Sequence, residues 1–118
     1  MSKLTQDKLN EMLARTTQLN LSYTDLTGVN LRGANLKNAM LFKAILTGMD
    51  LTGADLSGAY LYKADLSGTN LSGANLAQAN LKEADLSNAN LLQADLKDAE
   101  LQGTNLQGAI MPDGAKHE

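Results

Sequence analysis

From Leu21 to Leu106 a leucine returns at every fifth position, eighteen in register with no insertion between them. A period of five fits neither the 3.6 of an α-helix nor the 2.0 of a strand. Leucines so spaced share one side only if the chain turns a corner in every unit, so the path is a polygon wound into a coil. The residue two before each leucine is usually Ala, with Thr24, Val29, Met49, Thr69 and Thr104 among the exceptions. The residue just before it is Asn eight times and Asp six. The unit reads A(D/N)LXX, as in Ala54-Asp55-Leu56-Ser57-Gly58. Leu and the small Ala are expected inside, and the other three positions at the surface.

The polar positions carry the turn chemistry. Nine of the ten glycines stand at the second residue after leucine, which fits a type II turn whose third position needs φ > 0. Asn or Asp before leucine can bond its side chain to backbone groups that have no ladder partner. The interruptions count the sides. Tyr23, Lys43, Lys63 and Glu83 replace Gly at intervals of twenty, as do Met40 and Tyr60 for Asn or Asp, and Phe42 and Tyr62 for small polar residues. A repeat of twenty is four units to a coil, so the polygon has four sides.

Both ends depart from the pattern, as an open solenoid requires, because its last coil exposes leucines and a backbone edge. Thr5 is placed to N-cap a helix from about Gln6 to Arg15, with Asp7 in its first turn and Leu9, Met12 and Leu13 on one face. Beyond the last leucine, Ile110 and Met111 are expected to cover the final coil and Pro112 to stop further pairing. The expected organisation is a capping helix over 1–18, the repeat over 19–110, and a cap and tail over 111–118.

Composition narrows the chemistry. With one Phe, three Tyr and no Trp the interior is aliphatic. Ten Lys and Arg against thirteen Asp and Glu give a net charge of −3, too mild for a phosphate-binding surface, so direct nucleic-acid binding is not expected. There is no cysteine, which excludes disulfides and thiolate metal sites. The only histidine, His117, reads as part of a disordered tail. No Ser/His/Asp, Cys/His or phosphate-loop arrangement can be assembled, so no catalytic residue, cofactor site or metal site is assigned, and the chain is not expected to be an enzyme. The opening MSKLTQDKLNEMLARTTQ lacks the apolar stretch of a signal peptide, and nowhere are eighteen apolar residues consecutive. A soluble, cytoplasmic protein with no membrane contact is expected.

The A(D/N)LXX units resemble the pentapeptide-repeat family over some three-quarters of the chain. The resemblance implies an all-β solenoid, a right-handed quadrilateral β-helix. Eighteen units at four to a coil give about 4.5 coils of 20 residues, with the short N-terminal α-helix as a cap. The ending is similar to those of small cyanobacterial members, which implies a bacterial cytosol, with a thylakoid lumen as the other compartment. The family's best-known activity is mimicry of duplex DNA by long, acidic, dimeric rods that bind type II topoisomerase. This sequence departs from that pattern: every central residue is Leu, and the repeat carries nine acids against six bases.

Three surfaces are then candidates. The column Asp25, Ile45, Asp65, Asp85, Asn105 stacks carboxylates about 5 Å apart, a spacing that could bracket a cation, but it consists of the repeat's turn-bonding positions. Thr27, Thr47, Ser67 and Ser87 form a column of small hydroxyls of the kind that can order water. The third is made of residues that a scaffold does not need. Tyr23, Met40, Phe42, Tyr60 and Tyr62 fall on one side with Lys43, Lys63 and Lys82, which gathers every aromatic residue of the protein. Exposed aromatics ringed by Lys suit a protein-binding patch. The expected function is a non-enzymatic scaffold or protein–protein interaction module with an unknown protein partner, and weak homodimerisation through a solenoid end. The alternative is a DNA-mimic inhibitor or protector of DNA gyrase.

Overall fold

The computed structural model describes residues 2–15 and 18–118. Each leucine unit makes one side and the corner that ends it. At the corners from Leu26 onward the leucine carbonyl accepts from the N–H three residues on, as from Ala39 to Leu36 and Ala64 to Leu61, both 3.0 Å. The third residue of that turn has positive φ whatever its identity: glycine at nine corners, and Tyr23, Asn38, Lys43, Lys63, Gln78, Glu83, Asn88, Gln93 and Asp98 at the other nine. That is the signature of a type II turn, and it bends the chain without breaking the ladder.

Between corners, each coil bonds to the coils before and after it. Leu41 N–H donates to the Tyr60 carbonyl at 2.8 Å and Lys43 N–H to Tyr62 at 3.1 Å, while Met40 N–H donates back to Leu19 at 2.8 Å. The bridges are parallel and join residues twenty apart, as in Asn20–Met40–Tyr60–Asn80–Glu100 and Asp25–Ile45–Asp65–Asp85–Asn105. The remaining two sides carry Asp50–Asn70–Asn90–Ile110 and Asn35–Asp55–Asn75–Asp95. A twenty-residue repeat of five-residue units makes the solenoid four-sided.

The interior is a leucine and alanine ladder. Leu21 through Leu91 are fully buried, with Ala39, Ala44, Ala54, Ala59 and their successors filling the corners between them. Each buried leucine contributes about 1.5–3 kcal/mol by leaving water. Thr69 substitutes for Ala inside because its hydroxyl donates to the Leu66 carbonyl at 2.7 Å, leaving no orphaned polar atom.

The Asn and Asp before leucine accept from the backbone N–H two residues on, as Asn75 does from Ala77 at 3.0 Å and Asn80 from Lys82 at 3.1 Å. Asp is favoured over Asn where a hydroxyl follows, although Asn20 and Asn70 also precede a Ser by two. Five of the six aspartates, Asp25, Asp50, Asp55, Asp65 and Asp85, stand two before a Ser or Thr whose hydroxyl also donates to the same carboxylate oxygen. Carboxylate strengthens both bonds. These hydroxyl donors, with the backbone N–H beside them, hold the carboxyls of Asp25, Asp50 and Asp55 below the usual carboxylate value.

The helix α1, Gln6–Leu13, starts at Thr5, whose hydroxyl accepts from Lys8 N–H at 3.2 Å. It ends two residues before the Arg15 expected from sequence, with Ala14 closing the last turn. Leu9 is buried with the first leucines of the repeat, and Leu4, Met12 and Leu13 pack beside it. The strand β1, Ser2–Lys3, pairs in parallel with β2, Thr24–Asp25, and Gln6 Oε1 accepts from Asn30 N–H at 2.6 Å.

At the other end the expectation of a disordered tail is corrected. Pro112 does not end the pairing, because the chain reverses through Asp113 and Gly114 and runs back antiparallel. Gly108 N–H donates to the His117 carbonyl and His117 N–H to Ala109, both 2.7 Å, and Ile110 bridges Lys116. The Asp113 carboxylate accepts from Ala115 N–H at 3.0 Å and steadies the reversal. The hairpin covers one side of the edge, while Leu96, Leu101, Leu106 and Met111 remain half-buried.

Two outcomes follow. Leu61→Ala should lower the unfolding free energy in urea by about 3–5 kcal/mol, and Leu101→Ala in the half-open coil by less than about half of that. Equal losses would contradict the gradient of burial. The lowered carboxyls of Asp25, Asp50 and Asp55 stabilise the fold above their unfolded value, and that contribution is lost as pH falls through the folded values. The thermal midpoint should therefore hold between about pH 7 and 5 and decline below about pH 4, as circular dichroism would record; a midpoint flat to about pH 2 would count against it.

Candidate functional site

The side centred on Leu21, Leu41, Leu61, Leu81 and Leu101 has three outward columns, because residues before and after an inward leucine point away from it. The first column is Asn20, Met40, Tyr60, Asn80 and Glu100, each bridged to the next. Met40 is 39% and Tyr60 51% exposed. The second column brings Ser22, Phe42, Tyr62 and Lys82 into line, and the third, at the corner, Tyr23, Lys43, Lys63 and Glu83.

The rings form a ladder. Phe42 and Tyr62 stack with centroids 5.5 Å apart and planes within 7°. Tyr23 meets Phe42 edge-on at 5.1 Å and 83°, and is itself 53% exposed. A cross-coil offset near the inter-strand spacing of about 4.8 Å places neighbouring rings at stacking distance without side-chain strain. Each inner ring carries an ammonium: Lys43 Nζ lies 5.5 Å from the Phe42 centroid and Lys63 Nζ 5.3 Å from that of Tyr62. The Tyr62 hydroxyl donates to Glu83 at 2.8 Å, a bond that raises the phenol above its ordinary value.

Of the eight residues that the sequence places on this side, Tyr23, Phe42, Lys43, Tyr62 and Lys63 form a ring-and-ammonium ladder with a flanking Met40–Tyr60 pair, while Lys82 pairs with Glu100. Sequence reasoning missed Glu83, which it read only as a corner interruption; its signal is its position one coil below Lys63 and beside Tyr62.

The other two candidates are accounted for by the scaffold. Asp65 and Asp85 stand on neighbouring coils while Ile45 separates them from Asp25, and the three carboxylates accept from the hydroxyls of Ser67, Ser87 and Thr27 at 2.7, 2.6 and 2.6 Å. The acidic column and most of the hydroxyl column satisfy one another. Among the described residues no cluster of three or more His, Cys, Asp or Glu could hold a metal ion.

A four-sided parallel solenoid of five-residue units defines the class of protein. Eight copies of the pentapeptide repeats family match residues 20–58, 41–78 and 74–111, and the chain belongs to that family. Its members fold as right-handed quadrilateral β-helices. No curated protein matches the sequence. Among solved structures it is similar to a pentapeptide repeat protein of the cyanobacterium Cyanothece 51142, at 35% identity over 78% of this chain and 63% of that one, with a TM-score of 0.74. It is also similar to one from the Arabidopsis thaliana thylakoid lumen, at 34% identity over 87% of this chain and 72% of that one, TM-score 0.78. A trypsin-treated form of QnrB1, a plasmid-mediated fluoroquinolone resistance protein, aligns at 22% identity over 78% of this chain and 55% of that one, TM-score 0.53, which reports shared fold alone. The chain spans 63% of the length of the Cyanothece protein.

Lys43 and Lys63 sit at φ 55° and 58°, where glycine stands at half of the corners. The left-handed conformation costs a side-chain-bearing residue about 1–2 kcal/mol, whereas an exposed cation–π contact returns about 0.5–1 kcal/mol. Glycine's greater freedom in the unfolded chain offsets about 0.4–1 kcal/mol of the relief. The double variant Lys43→Gly/Lys63→Gly should therefore unfold in urea within about 1 kcal/mol of the parent. A loss above about 2 kcal/mol would mark these lysines as parts of the scaffold.

Proposed function

We propose that this chain is a non-enzymatic interaction scaffold, four and a half coils closed at the N-terminal end by α1, whose contact surface is the side bearing Tyr23, Met40, Phe42, Lys43, Tyr60, Tyr62 and Lys63. One observation carries the reading. The fold accepts glycine at its corners and small polar residues outside them, yet on this side alone it holds exposed aromatic and Met side chains with cations at positive φ. Rings clustered on a rigid sheet present large contact area with little side-chain entropy left to lose, which suits the centre of a protein interface.

The same rings also support each other, and stacking across a ladder contributes about 0.2–1 kcal/mol a pair. Stability and binding therefore need separate readouts. Alanine at Phe42, Tyr60 and Tyr62 should leave circular dichroism of the repeat intact and abolish capture of a specific protein partner from lysate. Capture unchanged in the folded variant would sink this reading. The gyrase reading makes the opposite forecast: the purified protein at micromolar concentration would inhibit gyrase supercoiling, and the triple-alanine variant would inhibit equally.

A further inference from the structure

Charge sorts the four sides unequally. The side after the aromatic one, centred on Leu26, Leu46, Leu66, Leu86 and Leu106, carries Asp25, Asp65 and Asp85 with no Lys or Arg in its repeat units, and Lys3 of β1 pairs with Asp25 at its upper end. Along the aromatic side the order is Lys43, Lys63, then Lys82, Glu83 and Glu100. The two acids lie at its lower end and are occupied, Glu83 by the Tyr62 hydroxyl and Glu100 by Lys82 at 3.7 Å. The upper half, from Tyr23 to Lys63, contains no acid.

The ion pairs among the described residues are Lys3–Asp25, Lys8–Glu11, Arg32–Asp50 and Lys82–Glu100. Lys43 and Lys63 belong to none of them; each instead lies over a ring, one coil apart. A protein of net charge −3 thus carries, on its one aromatic surface, two ammonium groups that among the described residues make no ion pair. Covering that surface with an apolar or basic partner would strip water from both cations and add no carboxylate to the ring contacts they already have. An acidic partner supplies what they lack.

Resting on the reading of this side as the contact surface, we propose that its occupant is an acidic protein segment that places carboxylates against Lys43 and Lys63 and an aromatic or aliphatic side chain between Tyr60 and the Phe42–Tyr62 stack. A second copy of this chain is a poor complement. Its acidic side offers carboxylates already engaged by Thr27, Ser67 and Ser87, and its one large apolar residue there is Ile45. A single-stranded nucleic acid fits less well again. It needs a longer basic track, and the Phe42 and Tyr62 rings, stacked on each other, leave no gap for a base.

The test uses the full chain and synthetic polymers: a random glutamate–tyrosine copolymer, polyglutamate, a lysine–tyrosine copolymer and oligo(dT). Binding is read by calorimetry at low and at physiological salt. The proposal expects the glutamate–tyrosine copolymer to bind tightest, polyglutamate about tenfold weaker, and both to weaken with salt. Lys43→Glu/Lys63→Glu, with its fold checked by circular dichroism, should lose the acidic copolymer and take up the lysine–tyrosine one. A parent that binds the lysine–tyrosine copolymer or oligo(dT) in preference overturns the acidic partner. If that preferred binding is lost in the triple-alanine variant, the aromatic contact surface itself stands. Binding of no polymer also overturns the acidic partner, and the lysate capture then decides separately whether the aromatic side binds at all. Acidic-copolymer binding that survives charge reversal overturns the role of the two lysines.

Discussion

Everything in this protein depends on one register: a chain that bends every fifth residue must meet itself again after twenty, with backbone donors opposite backbone acceptors. Only a corner that reproduces its dihedrals each time can do so. Positive φ recurs at corner after corner, at Lys43 and Gln78 as at Gly53 and Gly73. Leucine follows from that constraint. A side this short has room inside for one large residue at its centre and one small residue beside the corner. The ladder of Leu41, Leu61 and Leu81 with Ala39, Ala59 and Ala79 is that solution repeated.

Because the interior is so fully prescribed, the sequence could be read unusually far. The five-residue leucine period and the twenty-residue spacing of its interruptions were enough to place Phe42 over Tyr62 and Met40 over Tyr60, and the bridges join those coils as the spacing required. Local turn chemistry was legible for the same reason: the Asn and Asp positions accept from the N–H two residues on.

What escaped was set by partners outside the repeat or by side-chain reach. Pro112 cannot donate to a ladder, and taken alone it reads as a stop, yet Asp113 and Gly114 supply a reversal that sends Ala115–His117 back along the edge. α1 ends at Leu13 rather than Arg15, with Ala14 closing its last turn and Leu9 buried against the first coil. The pairing of Asp with Ser or Thr was present in the letters all along. Its meaning needed the geometry, in which N–H and hydroxyl converge on one carboxylate oxygen.

The corners give the sharpest separation of scaffold from surface, because the backbone asks the same of each. On the other three sides, the residues that replace glycine there are Asn38, Gln78, Asn88, Gln93 and Asp98. Asn and Asp adopt the left-handed conformation more readily than other side chains, so Asn38, Asn88 and Asp98 answer the backbone's demand. Tyr23, Lys43 and Lys63 answer no such demand, and Tyr23 and Lys43 both contact the Phe42 ring. Gln78 and Gln93 share that cost on other sides, but at Tyr23, Lys43 and Lys63 the side chains together build an aromatic surface and set two cations over its rings.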